Sequence, residues 1–156
     1  MENRKIANER TSSPIFRIEP IKLFYNLFFM RHDLLADVFS AIKNADRIGK
    51  KEVIVGSSNL VKNILNILKD KGYIEGYEIL MRNNYEELKV KLKNRINELK
   101  VVKPRHSFKK DKLIKFKERY LPGDGVGHLI VSTSRSKITT DRDLKDEGGI
   151  IIGYVY

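Results

Sequence analysis

Ser132, Thr133 and Ser134 are followed at once by Arg135, Ser136 and Lys137. They come directly after Leu129-Ile130-Val131, a short apolar β-branched run behind a glycine-rich turn, which reads as a strand. Hydroxyls at a strand end both donate and accept hydrogen bonds, and the adjoining cations add charge. That combination suits a sugar–phosphate surface, above all the 2′-hydroxyls and phosphates of an RNA helix. The same residue types also build an ordinary polar turn from a strand into a helix, capped by Thr139 or Thr140.

The whole chain narrows the choice. It has 156 residues, with 31 Lys and Arg against 20 Asp and Glu, a formal net charge of +11. A polyanion explains such an excess, nucleic acid first and an anionic membrane surface second. Nine of the cations fall between Lys100 and Arg119, among them Lys103, Arg105, Lys109, Lys110 and Lys112. The only acids there are Asp111 and Glu118, and Phe108, Phe116 and Tyr120 are interleaved. A charge run of this kind is either a solvated face or a phosphate contact. Lys50 and Lys51 form a second basic pair. With no cysteine, disulfide scaffolds and thiolate metal sites are excluded. His32, His106 and His128 lack metal-ligand spacing.

Elements that must position these residues are legible from periodicity. Leu34, Leu35, Val38, Phe39, Ile42 and Ala45 recur at helical spacing, with Asp33 as N-cap and Gly49 as terminator. Val53–Val55 reads as a strand. Ser57 or Ser58 then caps a second helix with Leu60, Val61, Ile64, Leu65, Ile67 and Leu68 on its apolar face, and Gly72 closes it. Tyr77–Met81 is a strand, Asn83-Asn84 a turn, and Leu88, Val90 and Leu92 alternate with lysines as a half-buried strand. Leu99, Val101 and Val102 suggest another strand, Leu113–Leu121 a short helix, Asp141–Glu147 a polar helical turn, and Ile150–Tyr156 an apolar closing strand. The fold class is therefore α+β. Two small α+β domains are expected, 30–95 (helix-strand-helix-strand-strand) and 96–156 (mostly β with short helices, and RNA-binding).

Residues 1–29 are read as an extension, with Met30 as the functional start. The apolar stretch Ile15–Phe29 is interrupted by Arg17, Glu19, Pro20 and Lys22 and is too short to span a bilayer. Gly123, Gly125 and Gly127 imitate a phosphate-cradling loop, yet they follow a helix and precede a strand, the reverse of a dinucleotide motif. No Ser–His–acid set, Walker lysine loop or paired-histidine motif is present. The expectation is a non-enzyme without cofactor or metal, with no membrane and no small-molecule substrate as partner. A DNA-binding regulator built on the two helices is the alternative reading, and a small nucleic-acid enzyme the third.

The order of motifs resembles one family, the universal small-subunit ribosomal protein called S-eight in bacteria and S-fifteen-a in eukaryotes. Asp33-Leu-Leu-Ala-Asp-Val-Phe-Ser-Ala-Ile-Lys-Asn-Ala45 is similar to that family's first helix. Arg47-Ile-Gly-Lys-Lys51, Lys71-Gly-Tyr-Ile74 and Lys103-Pro-Arg105 follow its course, and Gly127-x-x-Ile-Val-Ser-Thr-Ser134 carries its Ser-Thr-Ser loop. Gly148-Gly149 and Gly153-Tyr-Val-Tyr156 resemble the archaeal and eukaryotic type. The family usually has a glycine and then an apolar residue where this chain has Ser136 and Lys137. The resemblance, over residues 31–156, implies a cytoplasmic ribosomal protein that binds the central domain of small-subunit rRNA beside neighbouring small-subunit proteins. It implies that Ser132, Thr133 and Ser134 lie against the RNA backbone and minor groove.

Overall fold

In the computed structural model, residues 33–135, 137–144 and 147–156 are described, with Lys110 described by its backbone alone. The expected extension, 1–29, lies outside the described residues. The fold is α+β, with three helices and two antiparallel sheets among those residues. Asp33 caps α1 (Leu34–Arg47) by accepting from the amides of Leu35 and Ala36. Its apolar stripe, Leu35, Val38, Phe39, Ile42 and Ala45, is buried at helical spacing. After β1 (Glu52–Gly56), the Ser58 hydroxyl caps α2 (Asn59–Asp70), whose Val61, Ile64, Leu65 and Leu68 are buried. Burying each such side chain fully contributes about 1.5–3 kcal/mol before chain entropy is subtracted.

The first sheet has the order β1-β3-β2, with β2 spanning Ile74–Arg82 and β3 Tyr85–Leu92. Leu88, Val90 and Leu92 face inward from β3, as their alternation with lysine predicts. The second sheet runs β4 (Leu99–Val101), β8 (Gly149–Val155), β6 (His128–Thr133), β7 (Ile138–Thr140), and β5 (Ser107–Phe108) also pairs with β8. A 3-10 turn at Lys110–Lys112 leads into α3 (Leu113–Tyr120).

The second sheet is buried on both faces. Ile130 and Ile152 join the core under α1 and α2, while Leu129, Val131 and Ile151 join a second core with Val102, Phe108 and Leu113. Successive strand residues point to opposite faces, so Leu129-Ile130-Val131 serves both cores in turn. The β6–β8 register shifts between Ile130 and Val131, leaving Ile152 as an extra residue. Ile152 and Gly153 thereby turn toward the same core, and Ile151 and Tyr154 toward the other. Gly153 has no room for a side chain, because a Cβ would stand 2.5 Å from the Lys100 carbonyl and 3.0 Å from Phe39.

Two expectations are corrected. Asp141–Glu147 is not helical over its described residues: Asp141–Asp143 is a simple turn, with the Asp143 amide donating to the Thr140 carbonyl at 3.2 Å, and Lys145 and Asp146 lie outside the described residues. The Asp141 amide donates to the Leu129 carbonyl and its carboxylate accepts from the Leu129 amide, both at 3.0 Å, which pins the chain flat against β6. Thr139 and Thr140 cap no helix; they lie in β7, a three-residue strand too short to announce itself by periodicity.

A buried carboxylate joins the first sheet to the second. Asp46, near the end of α1, accepts from the amides of Asn94 and Ile96, both at 2.9 Å, and is 4% exposed. These amides belong to the link between β3 and β4. Replacing Asp46 with Ala strands two amides away from water, so stability is expected to fall by about 2 to 4 kcal/mol. Urea unfolding of parent and D46A checks this; a loss under 1 kcal/mol would show that water replaces the carboxylate.

Candidate nucleic-acid interface

The hydroxyl stretch sits where β6 emerges from between the two cores. Ser132 ends in register with Ile150 of β8 and Ile138 of β7, and Ile150 is itself in register with Ser107 of β5. Directly opposed residues share a face. Ser107, Ile150, Ser132 and Ile138 thus form one transverse row over four strands. Ser107 is exposed, Ile150 is 43% exposed and Ser132 is half-buried. The row offers hydroxyls on either side of an apolar ridge.

Thr133 and Ser134 stand apart from that row. Thr133 points to the opposite face, buried at 8% exposure, and its hydroxyl has no hydrogen-bond partner among the described residues. It lines a concavity of about 200 Å³ with Arg135, Lys137, Thr139, Asp143, Leu144 and Glu147. Ser134 is exposed at the turn, its amide held by the Gly148 carbonyl at 3.3 Å. The loop is closed by the Thr133 amide donating to the Lys137 carbonyl at 2.9 Å, and Arg135 pairs with Glu147 at 3.3 Å. The triplet therefore supplies two faces and a tip rather than one surface. Ser136 lies outside the described residues.

Of the other sequence-derived cations, Arg105, Lys109 and Lys112 are exposed around β5 and the turn that follows it. Lys103 pairs with the Asp33 carboxylate, and this hydrogen-bonded partner holds the Asp33 carboxyl below its ordinary range. The Lys110 side chain lies outside the described residues. Lys50 and Lys51 are exposed on the loop entering β1, in the other sheet. The interleaved aromatics are structural: Phe108 is buried, and Phe116 and Tyr120 pack against the second core. Phe116 stacks on His106 with ring centres 5.7 Å apart. Phe108 and Phe116 fasten the basic segment to the sheet and are not a platform for bases.

Sequence reading missed Ser107. It sits between Arg105 and Lys109, and that basic setting was its only signal, because a two-residue strand has no readable period. Sequence reading also missed the anchor at the start of β6. There Asp141, 7% exposed, accepts from Lys117 at 2.7 Å and lies 3.7 Å from Nδ1 of buried His128. The ring of Tyr73 meets His128 edge-on, and Lys71 pairs with Asp143 at 2.7 Å. Arg142 donates to the Gly125 and Gly127 carbonyls, bracing the glycine turn. The two N-terminal helices are separated by β1 and bury their apolar faces, which is not helix-turn-helix geometry.

Residues 33–156 match the family model of ribosomal protein S8. The chain belongs to the ribosomal protein S8 family. It is 43% identical over 129 residues to small ribosomal subunit protein uS8 of Aeropyrum pernix, covering 80% of this chain and 97% of that one. The Picrophilus torridus protein of the same name is 37% identical over 129 residues, with 81% of this chain and all of that one covered. Nanoarchaeum equitans has an S8 relative 35% identical over 130 residues at the same coverage. Membership accounts for the motif order and the α+β fold together. Among the described residues no helix is long and apolar enough to cross a membrane.

The S8 fold of this chain carries a buried titratable group at the start of β6. Burial first, and then the nearby Arg142 cation, push the His128 pKa below its ordinary value of 6.5. The folded state thus resists a proton that the unfolded state accepts, and stability rises with pH across this window. It is lost as pH falls from about 6.5 toward the folded pKa. Urea midpoints between pH 7.5 and 5 should decline in the parent and decline less in His128→Phe. Parallel pH profiles for the two proteins would remove His128 from the account.

Proposed function

We propose that this chain is a structural component of the small ribosomal subunit that binds the central domain of small-subunit rRNA and supports its assembly. Its partners are that rRNA and neighbouring small-subunit proteins, and its place is the cytoplasmic ribosome. It positions RNA and performs no reaction. The observation that carries this reading is the row Ser107–Ile150–Ser132 beside the exposed cations Arg105, Lys109 and Lys112. Residues 96–156 contain both and are the proposed RNA-binding domain; residues 30–95 carry Lys50 and Lys51 as an outlying contact.

The chemistry follows from the surface. Serine hydroxyls donate to phosphate oxygens, and they both donate to and accept from the 2′-hydroxyls that double-stranded RNA displays across its shallow minor groove. Ile150 between them gives an apolar surface for a ribose face and keeps water from competing for the flanking hydroxyls. Arg135 and Lys137 at the tip, with the basic cluster nearby, neutralise phosphates and set the salt dependence. The relatives' name, small ribosomal subunit protein uS8, supports the same partner.

Charge and shape should fail differently. Replacing Lys109, Lys110 and Lys112 with Gln is expected to lower the salt slope by a little under one per lost phosphate contact, on cognate and unrelated RNA alike. Replacing Ser107, Ser132 and Ser134 with Ala leaves net charge unchanged. It is expected to cost about 1 kcal/mol per hydroxyl lost from a pair, at least tenfold in total, and mainly on the cognate site. Filter binding to a central-domain rRNA fragment over a range of salt separates the two. A folded triple-alanine variant that binds as tightly as the parent, or a parent that prefers duplex DNA, would overturn the proposal.

A further inference from the structure

The far end of β8 carries a different kind of surface. Tyr154 faces Tyr120 of α3 with ring centres 5.5 Å apart and planes at 23°. Tyr156 follows two residues on, its ring 6.2 Å from that of Tyr154 and tilted by only 9°. The Arg119 guanidinium carbon lies 5.5 Å from the centre of the Tyr120 ring. Lys100 is in register with Tyr154 across β4, and its side chain is 59% exposed while pairing with Glu98 at 3.2 Å. Three half-buried tyrosines thus stand in a ladder between two cations. Tyr120 and Tyr154 pack against the second core and Lys100 answers Glu98, but that packing calls for neither the phenol hydroxyls nor Arg119. From Ile150 to Tyr156 the strand extends roughly 20 Å, so this surface is separate from the hydroxyl row.

We infer that the Tyr120–Tyr154–Tyr156 ladder, with Arg119 and Lys100, is a second nucleic-acid contact that takes unpaired RNA bases by stacking. Aromatic faces accept any base, and flanking cations hold the phosphates that connect them. This differs from the hydroxyl row, which fits the outside of a paired helix. A chain with both can grip a duplex at one end of the sheet and the single strand leaving it at the other. The cations favour a nucleic acid over a proline-rich peptide, which would use the rings and leave the charges unemployed. The inference stands independently of the hydroxyl row and of the identity of the duplex.

A fluorescein-labelled ten-nucleotide oligoadenylate, read by anisotropy with the full chain at fixed low salt, tests it. Removing the ring in Tyr156→Ala is expected to weaken binding about tenfold, whereas Tyr156→Phe, which keeps the stacking face, binds as the parent does. Arg119→Gln, at an exposed helix position, is expected to bind severalfold more weakly and with a smaller salt slope. Lys89→Gln, which removes the same charge from the first sheet, should leave oligoadenylate binding unchanged, which separates loss at the ladder from a general loss of positive charge. The chain has no tryptophan, so its tyrosine emission is directly visible, and unlabelled oligoadenylate should quench it less in Tyr156→Ala than in the parent. Binding of Tyr156→Ala and Arg119→Gln within twofold of the parent would overturn the inference. So would a parent that ignores oligoadenylate but binds a proline-rich peptide through Tyr156.

Discussion

Everything in this molecule depends on a sheet that is buried on both faces. β6 and β8 form its centre, and each hands alternate side chains to two different cores. A strand held this way cannot slip, because a shift of one residue would exchange every side chain between faces. The bulge at Ile152 adds a second constraint, reversing the alternation so that Tyr154 and Val155 still reach the right sides. Gly153 completes it by letting Phe39 and the Lys100 carbonyl close on the backbone. The positions of Ser132 at one end of the sheet and Tyr156 at the other are consequences of that locking.

Two buried carboxylates extend the rigidity outward. Asp46 holds the link between the sheets by its amides, and Asp141 holds the start of β6 while pairing with Lys117 of α3. In both cases the charge is not left alone: backbone donors and, for Asp141, an ammonium compensate its desolvation. Removing one partner of such a set costs more than the set contributes, which is why these residues act as fasteners rather than as sources of net stability.

The surface divides by charge. On the first sheet Glu52 pairs with Lys89, Glu78 with Lys91 and Glu86 with Lys62, so its lysines are largely answered by its own acids. Around β5 and the hairpin tip, Arg105, Lys109, Lys112 and Lys137 are exposed, and so is Arg135 beside its partner Glu147. Under the proposed function, a polyanion would be drawn to the second region, where a fixed backbone presents hydroxyls at set spacing. Charge supplies attraction there, and the sheet supplies geometry.

Much of this was written in the sequence. The helical spacing of Leu35 to Ala45 and Val61 to Leu68, the caps at Asp33 and Ser58, and the alternation of Leu88 to Leu92 each depend on local physics, and each stands where its residues place it. The family resemblance was legible for the same reason, since motif order survives along the chain. Tertiary structure decided the rest. β5 and β7 exist only because β8 and β6 offer them hydrogen bonds, so no local signal marks them. The partition of Ser132 and Thr133 to opposite faces, and the arrival of Ser107 in the same row as Ser132, required knowing the register of four strands. The sequence chose the residues that can meet a sugar–phosphate surface; the doubly buried sheet decided which of them share a face, because only its cross-strand pairing fixes side-chain direction between segments far apart in the chain.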